Sequence, residues 1–351
     1  MSARNDAARR LGVSHPIVQG PFGGGLSTPE LAAAVSNLGG LGSYGAHLLE
    51  PDEIGLLVAE LRRRTSHPFA VNLWVSDHDP GGREPSQADF ERACGVFEPW
   101  FRELGLGRPE PPASYHPRFD DQVEAVLDAR PAVFSFVFGI PSAALLAECK
   151  RRAIVTIGAA TTLAEARALD EAGVDLILAT GFEAGGHRLS FLARPEESLM
   201  GTLALTRLAA DRVQAPMIAA GGIVDRRGIR AAMALGAQAA QLGTAFLACT
   251  ESGTTDAHRA VLIGASSERT VLTRAYTGRL ARGIPNRLTA QIEKHLADLP
   301  PFPAHAWFVS RMKAAAAEAG RTDLVPLYAG QAAPNLRHRT TADLMSALIE
   351  D

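Results

Sequence analysis

Eight short apolar runs, set between stretches of helical period, constrain the fold of this chain more than any other feature. The runs are Pro16–Gln19, Gly40–Tyr44, Phe69–Val75, Val133–Phe138, Ile154–Ile157, Leu176–Ala179, Met217–Ala220 and Ala239–Leu242. Between them, Pro29–Leu38, Pro51–Arg63, Ala143–Arg152, Leu163–Ala172, Thr202–Arg212 and Arg226–Leu235 read as helices. Thr28 is placed to cap the first of these, with Pro29 at the first helical position and Glu30 in the first turn. AGVD (Ala172–Asp175) and LGAQ (Leu235–Gln238) each supply a glycine that stops a helix in left-handed conformation before the next strand. Eight parallel strands with right-handed crossovers close most economically as an α/β (β/α)8 TIM barrel. The competing doubly wound sheet needs G-x-G-x-x-G after a strand and an acidic residue further on, a pairing the sequence does not show.

Two segments exceed the repeat. Ser76–His116, after the third strand, is rich in Pro, Gly, Asp and Glu, reads as a long loop, and carries Phe97, Trp100 and Phe101. Long loops at this face of a barrel usually serve as lids or walls. About a hundred residues, 251–351, follow the eighth strand. The expected organisation is a barrel over 12–250 with insertion 76–116, and a C-terminal helical extension over 251–351 packed on it. The insertion and Thr273–Asn286 are expected to wall the mouth together.

Bulk properties remove several classes of function. A net charge of −3 leaves no electrostatic footprint for nucleic acid, and only Lys150, Lys294 and Lys313 among the 35 basic residues are lysines. Cys94, Cys149 and Cys249 are too few and too scattered for a disulfide framework or a zinc site, and read as reduced, buried thiols. No His/carboxylate cluster suggests a metal. MSARNDAARRLGVSHPI lacks a secretory apolar core, and the longest uncharged run, Ala231–Thr250, contains two Gln, two Gly and two Thr. A cytoplasmic protein without membrane or nucleic-acid partners is expected; a homo-oligomer is left open.

The chain is rich in glycine (33) and poor in aromatics (6%), and the glycines concentrate after the strands. Gln19-Gly20-Pro21-Phe22-Gly23-Gly24-Gly25 follows the first, Gly181-Phe182-Glu183-Ala184-Gly185-Gly186-His187 the sixth, Gly221-Gly222 the seventh and Gln241-Leu242-Gly243-Thr244 the eighth. Glycine lets backbone N–H groups approach a ligand closely. The loops after strands seven and eight form the usual phosphate corner of this fold. Gly221, Gly222, Gly243 and Thr244 therefore read as a phosphate cradle, or as tight turns alone. An organic group on that phosphate would lie toward Gln19 and Asn72, whose amides suit a ring edge of alternating C=O and N–H. His187 follows a Gly-Gly at a strand end, where a neutral imidazole can act as general base or bind a substrate anion. His15, His47 and His67 have no comparable setting. Cys249 lies past the eighth strand, away from a loop where a nucleophile would sit.

PIVQGPFGGG (Pro16–Gly25), SNLGGLGSYG (Ser36–Gly45), FAVNLWV (Phe69–Val75), GFEAGGHR (Gly181–Arg188), AAGGIVDRRG (Ala219–Gly228) and QLGTAFL (Gln241–Leu247) occur in this order, followed by TRAYTGRLARGIPN (Thr273–Asn286). Together they resemble the nitronate monooxygenase (2-nitropropane dioxygenase-like) family of FMN-dependent barrels, over about residues 12–250. Flavin-dependent enoyl-ACP reductases share much of the set. The resemblance implies FMN, with Gln19 and Gly20 near the ring and Asn72 beside it, and Pro21 also among the cofactor-binding residues. It places Gly185, Gly186, Gly221, Gly222 and Gln241 to Thr244 around the ribityl phosphate. It also implies oxidation of alkyl nitronates by O2 to a carbonyl compound and nitrite; the catalytic candidate, His187, comes from the setting of that residue described above.

One departure stands out. Some bacterial members carry a histidine base at the end of the fifth strand, where alignment here places Gly158 in IVTIGAATT. Either His187 serves instead or no strong base is present; nitronates, already deprotonated, need none. Two alternatives remain: an FMN-dependent NAD(P)H enoyl-thioester reductase, and a flavin-free isomerase or lyase using the phosphate corner for a sugar phosphate.

Overall fold

A computed structural model describes residues 6–75, 79, 82, 84 and 86–350. The eight expected strands are present: β1 (Ile17–Gln19), β2 (Gly42–Gly45), β3 (Phe69–Trp74), β4 (Val133–Val137), β5 (Val155–Ala160), β6 (Leu176–Thr180), β8 (Met217–Ala220) and β9 (Ala239–Leu242). They pair in parallel in the order β1-β9-β8-β6-β5-β4-β3-β2. A parallel bridge between Val18 and Leu41, flanked by Gln19 N–H to Leu41 C=O and Leu41 N–H to Ile17 C=O, joins β1 to β2. The result is a (β/α)8 TIM barrel.

Alternation along each strand sorts side chains between interior and helix layer. Val18, Leu41, Val133, Val137, Ile157, Leu176, Leu178 and Ile218 fill the interior, and Ala7 and Leu11 of the first helix join the same cluster. Near the C-terminal ends, the interior positions Ala159 and Ala220 are small and border a cavity. The barrel is therefore packed below and hollow above. Close approach of helix to strand needs glycine at Gly42, where a Cβ would lie 1.8 Å from the Ala32 carbonyl oxygen.

The expected cap forms, with the Thr28 side chain accepting Leu31 N–H, and two further helices are capped in the same way by Thr162, which accepts Glu165 N–H, and Asp225, which accepts Gly228 N–H. The long connection after β3 contains more order than its composition suggested. Residues 76–78, 80, 81, 83 and 85 of it lie outside the described residues, but Gln87–Glu103 is a 17-residue helix. A further helix, Phe119–Ala129, precedes β4. The first of these buries Phe90, Phe97, Trp100 and Phe101 against helix Ala304–Glu318, with Phe97 and Phe308 stacked at 5.2 Å. Three further strands, β7 (Gly186–His187), β10 (Val271–Thr273) and β11 (Ala281–Gly283), form a small antiparallel sheet above the barrel in the order β10-β11-β7. No helix among the described residues is long and apolar enough to cross a membrane.

Candidate active site

A cavity of about 290 Å³ opens at the C-terminal ends of the strands. Interior-facing positions supply its floor: Asn72 and Trp74 from β3, Ser135 and Val137 from β4, Ile157 and Ala159 from β5, Leu178 and Thr180 from β6. Gly20, Pro21, Gly185, Gly186, His187, Gly221, Gly222, Gln241, Gly243 and Thr244 all border it, so eleven of the twelve site residues expected from sequence, Asn72 included, meet in one place.

Gln19 does not. Val18 belongs to the barrel interior, so the next residue points the other way, and Gln19 is fully buried outside the cavity. Its Oε1 accepts Ser43 N–H at 2.8 Å and its Nε2 donates to the Gly20 carbonyl, which makes it a brace for the Gly20 turn. The same alternation corrects the reading of Gly158. A Cβ there would lie 2.3 Å from Leu169 Cδ2, on the helix side, whereas Ile157 and Ala159 border the cavity. A side chain at 158 cannot reach the site, and β5 still supplies no ionisable group to it.

Of the two segments expected to wall the mouth, Thr273–Asn286 supplies Tyr276 and Thr277 to the cavity lining. Residues 76–78, 80, 81, 83 and 85 of the insertion lie outside the described residues; of the described ones none lines the cavity, and Asp79 pairs with Arg279 at its rim. Helix Gln87–Glu103 of the insertion backs helix Ala304–Glu318, whose Ala306, Val309, Ser310 and Lys313 face the opening. Phe302, Tyr328, Ala329 and Gly330 complete that side. Sequence reasoning passed over Lys313, Phe302 and Tyr328, because no local pattern marks a residue brought in from a distant segment.

Aromatic rings line the rim. The rings of His47 and Trp74 stack at 3.8 Å, with Phe138, His187 and Phe302 around the indole. Arg279 lies over the Phe138 ring at 3.6 Å and the Phe302 ring at 4.3 Å, and pairs with Asp79. Cation–π geometry of this kind fixes a guanidinium beside a pocket without a second carboxylate.

His187 sits at the junction of cavity and small sheet, with its Nε2 2.8 Å from Thr277 Oγ1. Burial, reinforced by the Arg279 charge, holds its imidazole down to about 3. Burial also pushes His258 and His305 down to about 4, in the first case with help from Lys313. These depressions have a consequence for stability. Below the ordinary value of 6.5 the unfolded chain takes up protons that the folded chain refuses, so stability is full above pH 6.5 and is lost toward pH 4 to 3. Each histidine contributes up to about 1.4 kcal/mol per pH unit in that window. Thermal melts should therefore fall steadily from pH 6.5 to pH 4.5, and His305→Gln should make the decline shallower. An unchanged slope in that variant would contradict the assignment.

Two features bear on cofactor capacity. Thr180 Oγ1 is buried at the cavity floor without a hydrogen-bond partner. The Gly221–Gly222 turn has φ of 112° and 68°, a path open to glycine, and Thr202 and Glu183 pack behind it. Thr244 Oγ1 accepts Gly330 N–H at 2.9 Å, tying the corner to the C-terminal wall.

The family description "Nitronate monooxygenase" matches residues 6–351. A nitronate monooxygenase of Paraburkholderia phytofirmans is 41% identical over 345 residues, covering 96% of this chain and 92% of its own length. One from Pseudomonas aeruginosa is 40% identical, covering 98% and 97%. Among solved structures, nitroalkane oxidase from Streptomyces ansochromogenes superposes with a TM-score of 0.85 at 35% identity, covering 97% of this chain and 96% of that one. FabK from Thermotoga maritima superposes with a TM-score of 0.76 at 28% identity, covering 99% and 96%. The chain belongs to the nitronate monooxygenase family of oxidoreductases.

Proposed function

We propose that this protein oxidises alkyl nitronates with O2 to a carbonyl compound and nitrite, using FMN held in the cavity above the barrel. The observation that carries the reading is the charge of that cavity. Lys313 brings a cationic side chain to its lining, the imidazoles of His47 and His187 beside it are held neutral by burial, and among the described residues no Asp or Glu lines it. Such a site favours an anion over a neutral molecule, and a nitronate is an anion where its parent nitroalkane is not.

The residues fit the cofactor. Gly221, Gly222, Gly243 and Thr244 would receive the phosphate, with Gly185 and Gly186 beside them. Asn72 donates Nδ2–H to Ser135 Oγ at 3.0 Å, which leaves its carbonyl oxygen for a ring N–H. Gly20, Pro21 and Gln241 would border the ring, and Thr180 offers its unpaired hydroxyl. When bound, the flavin supplies the electron acceptor and the centre that reacts with O2. The chain's own residues do the rest. Trp74, Phe302 and the His47 ring keep water from the reacting carbon, while Lys313 and His187 draw and orient the anion. With Ile157 and Ala159 as the cavity-facing positions of β5, no base from that strand reaches a neutral nitroalkane.

An absorption spectrum of the purified protein, followed by assays with propionate 3-nitronate, tests the reading. We expect bound FMN and O2-dependent nitrite release that does not require NADH or NADPH. Rapid anaerobic flavin reduction by NADH or NADPH, with negligible nitronate turnover, would assign the site to an enoyl-thioester reductase. A colourless protein that takes up no added FMN would point to the flavin-free isomerase or lyase. Turnover of nitroethane comparable to that of ethyl nitronate would remove the selectivity for the anion.

A further inference from the structure

His187 enters the cavity wall on the two-residue strand β7, paired with Ala281 and Arg282 of β11. Among the described residues its ring has one hydrogen-bond partner, Thr277, whose Oγ1 lies 2.8 Å from Nε2. Thr277 Oγ1 also accepts the backbone N–H of Arg279 at 3.3 Å. The Thr277 hydroxyl proton is then left with one protein acceptor among the described residues, His187 Nε2. A neutral imidazole carries a single ring proton, and its position follows from what the other nitrogen accepts. A hydroxyl donated to Nε2 puts that proton on Nδ1. Among the described residues Nδ1 has no hydrogen-bond partner, and the ring borders the cavity.

We propose that Thr277 is a positioning residue whose hydroxyl fixes His187 as the Nδ1–H tautomer, so that His187 offers the substrate's anionic oxygen a hydrogen-bond donor rather than a base. The identity of that oxygen rests on the nitronate reading above; the tautomer does not.

The surroundings agree with a neutral donor. Trp74 meets the ring edge-on at 5.0 Å, Phe138 at 6.3 Å, and Tyr328 tilts over it at 5.7 Å. The Arg279 charge and burial both oppose a proton on the second nitrogen. A ring so placed is a weak proton acceptor yet keeps its N–H for hydrogen bonding. This gives the missing base a physical meaning: the site selects substrates that arrive deprotonated.

The test uses the full-length flavin-loaded protein, labelled with 15N-histidine and assigned against His187→Asn. Long-range 1H–15N spectra should show protonated Nδ1 and unprotonated Nε2 for His187 in the wild type and in Thr277→Ser. Thr277→Val should shift the ring toward the other tautomer. Its kcat/KM for ethyl nitronate should drop about tenfold, mainly through KM, with Thr277→Ser restoring most of it. The wild-type profile of kcat/KM should be flat between about pH 5.5 and 8.5 as far as His187 is concerned. A proton on Nε2 in the wild type overturns the proposal, as does a Thr277→Val enzyme with unchanged spectrum and kcat/KM. The expected tautomer in a protein that does not turn over nitronates would leave the Thr277–His187 assignment standing and remove the substrate reading instead.

Discussion

Gly221→Ala should yield a folded protein that retains little or no flavin, its FMN affinity weakened at least about 100-fold, or about 2.7 kcal/mol. The backbone at Gly221 has a φ of 112°, where any side chain is strained. A Cβ there would also stand 2.6 Å from Thr202 Oγ1 and 3.1 Å from the Gly181 carbonyl oxygen. Thr202 has nowhere to go. Its Oγ1 lies 2.9 Å from Glu183 Oε2, 3.2 Å from the Ala220 carbonyl oxygen and 2.9 Å from the Gly221 carbonyl oxygen. Relief must come from the turn itself, which is the proposed phosphate site. Gly173→Ala is the control, since Gly173 has a φ of 79° but open space where a Cβ would go. That variant should lose only about 1 kcal/mol of stability and keep its flavin. Flavin fluorescence titrations and thermal melts of the two proteins separate strain from displacement of the turn. Wild-type FMN affinity in Gly221→Ala would place the phosphate elsewhere.

The second large effect is expected at Glu165, a fully buried carboxylate that the cavity does not contain. One oxygen accepts Thr161 N–H at 2.7 Å and the Thr161 hydroxyl at 2.6 Å; the other accepts Phe191 N–H at 2.6 Å and Leu192 N–H at 3.1 Å. The residue thereby ties the end of β5 to the segment that follows His187, and lies in the first turn of helix Leu163–Glu171, where the helix dipole favours negative charge. Glu165→Ala strands several buried donors and should cost about 3–5 kcal/mol, lowering Tm by about 5 °C in a chain of this size. Glu165→Gln keeps the volume but turns an NH2 group toward donors, so it should recover only part of the loss. Denaturant unfolding of the three proteins is the measurement. A loss below about 1 kcal/mol in Glu165→Ala would mean that water replaces the carboxylate without penalty.

What could be read from the sequence follows the range of the interactions. The strands and the glycine turns after them are local, so the barrel and most of the site were legible in short runs of residues. Gln19 and Gly158 were misplaced because facing depends on strand register, and a shift of one residue reverses every side chain. Helix Gln87–Glu103 lies in a segment whose content of Pro, Gly, Asp and Glu reads as a loop; its aromatic face is held by helix Ala304–Glu318, two hundred residues away. Helix Phe119–Ala129 lacked the usual glycine stop, because Arg130 takes the left-handed conformation itself, with a φ of 49°. Lys313, Phe302 and Tyr328 reach the cavity only through tertiary packing, which no window of sequence displays.

The seam of the barrel has a consequence for how the protein is made. β1 pairs with β9 and depends on the single bridge to β2 on its other side, so the first strand cannot be enclosed until Ala239–Leu242 has left the ribosome. Even then the mouth lacks its far wall, because Phe302, Lys313, Tyr328 and Gly330 are synthesised later. A nascent chain that has emerged through Leu247 holds the glycine turns but exposes them to solvent on that side. If the cavity holds the proposed cofactor, its capture is coupled to completion of the polypeptide, and chains truncated after Leu247 should emerge without it.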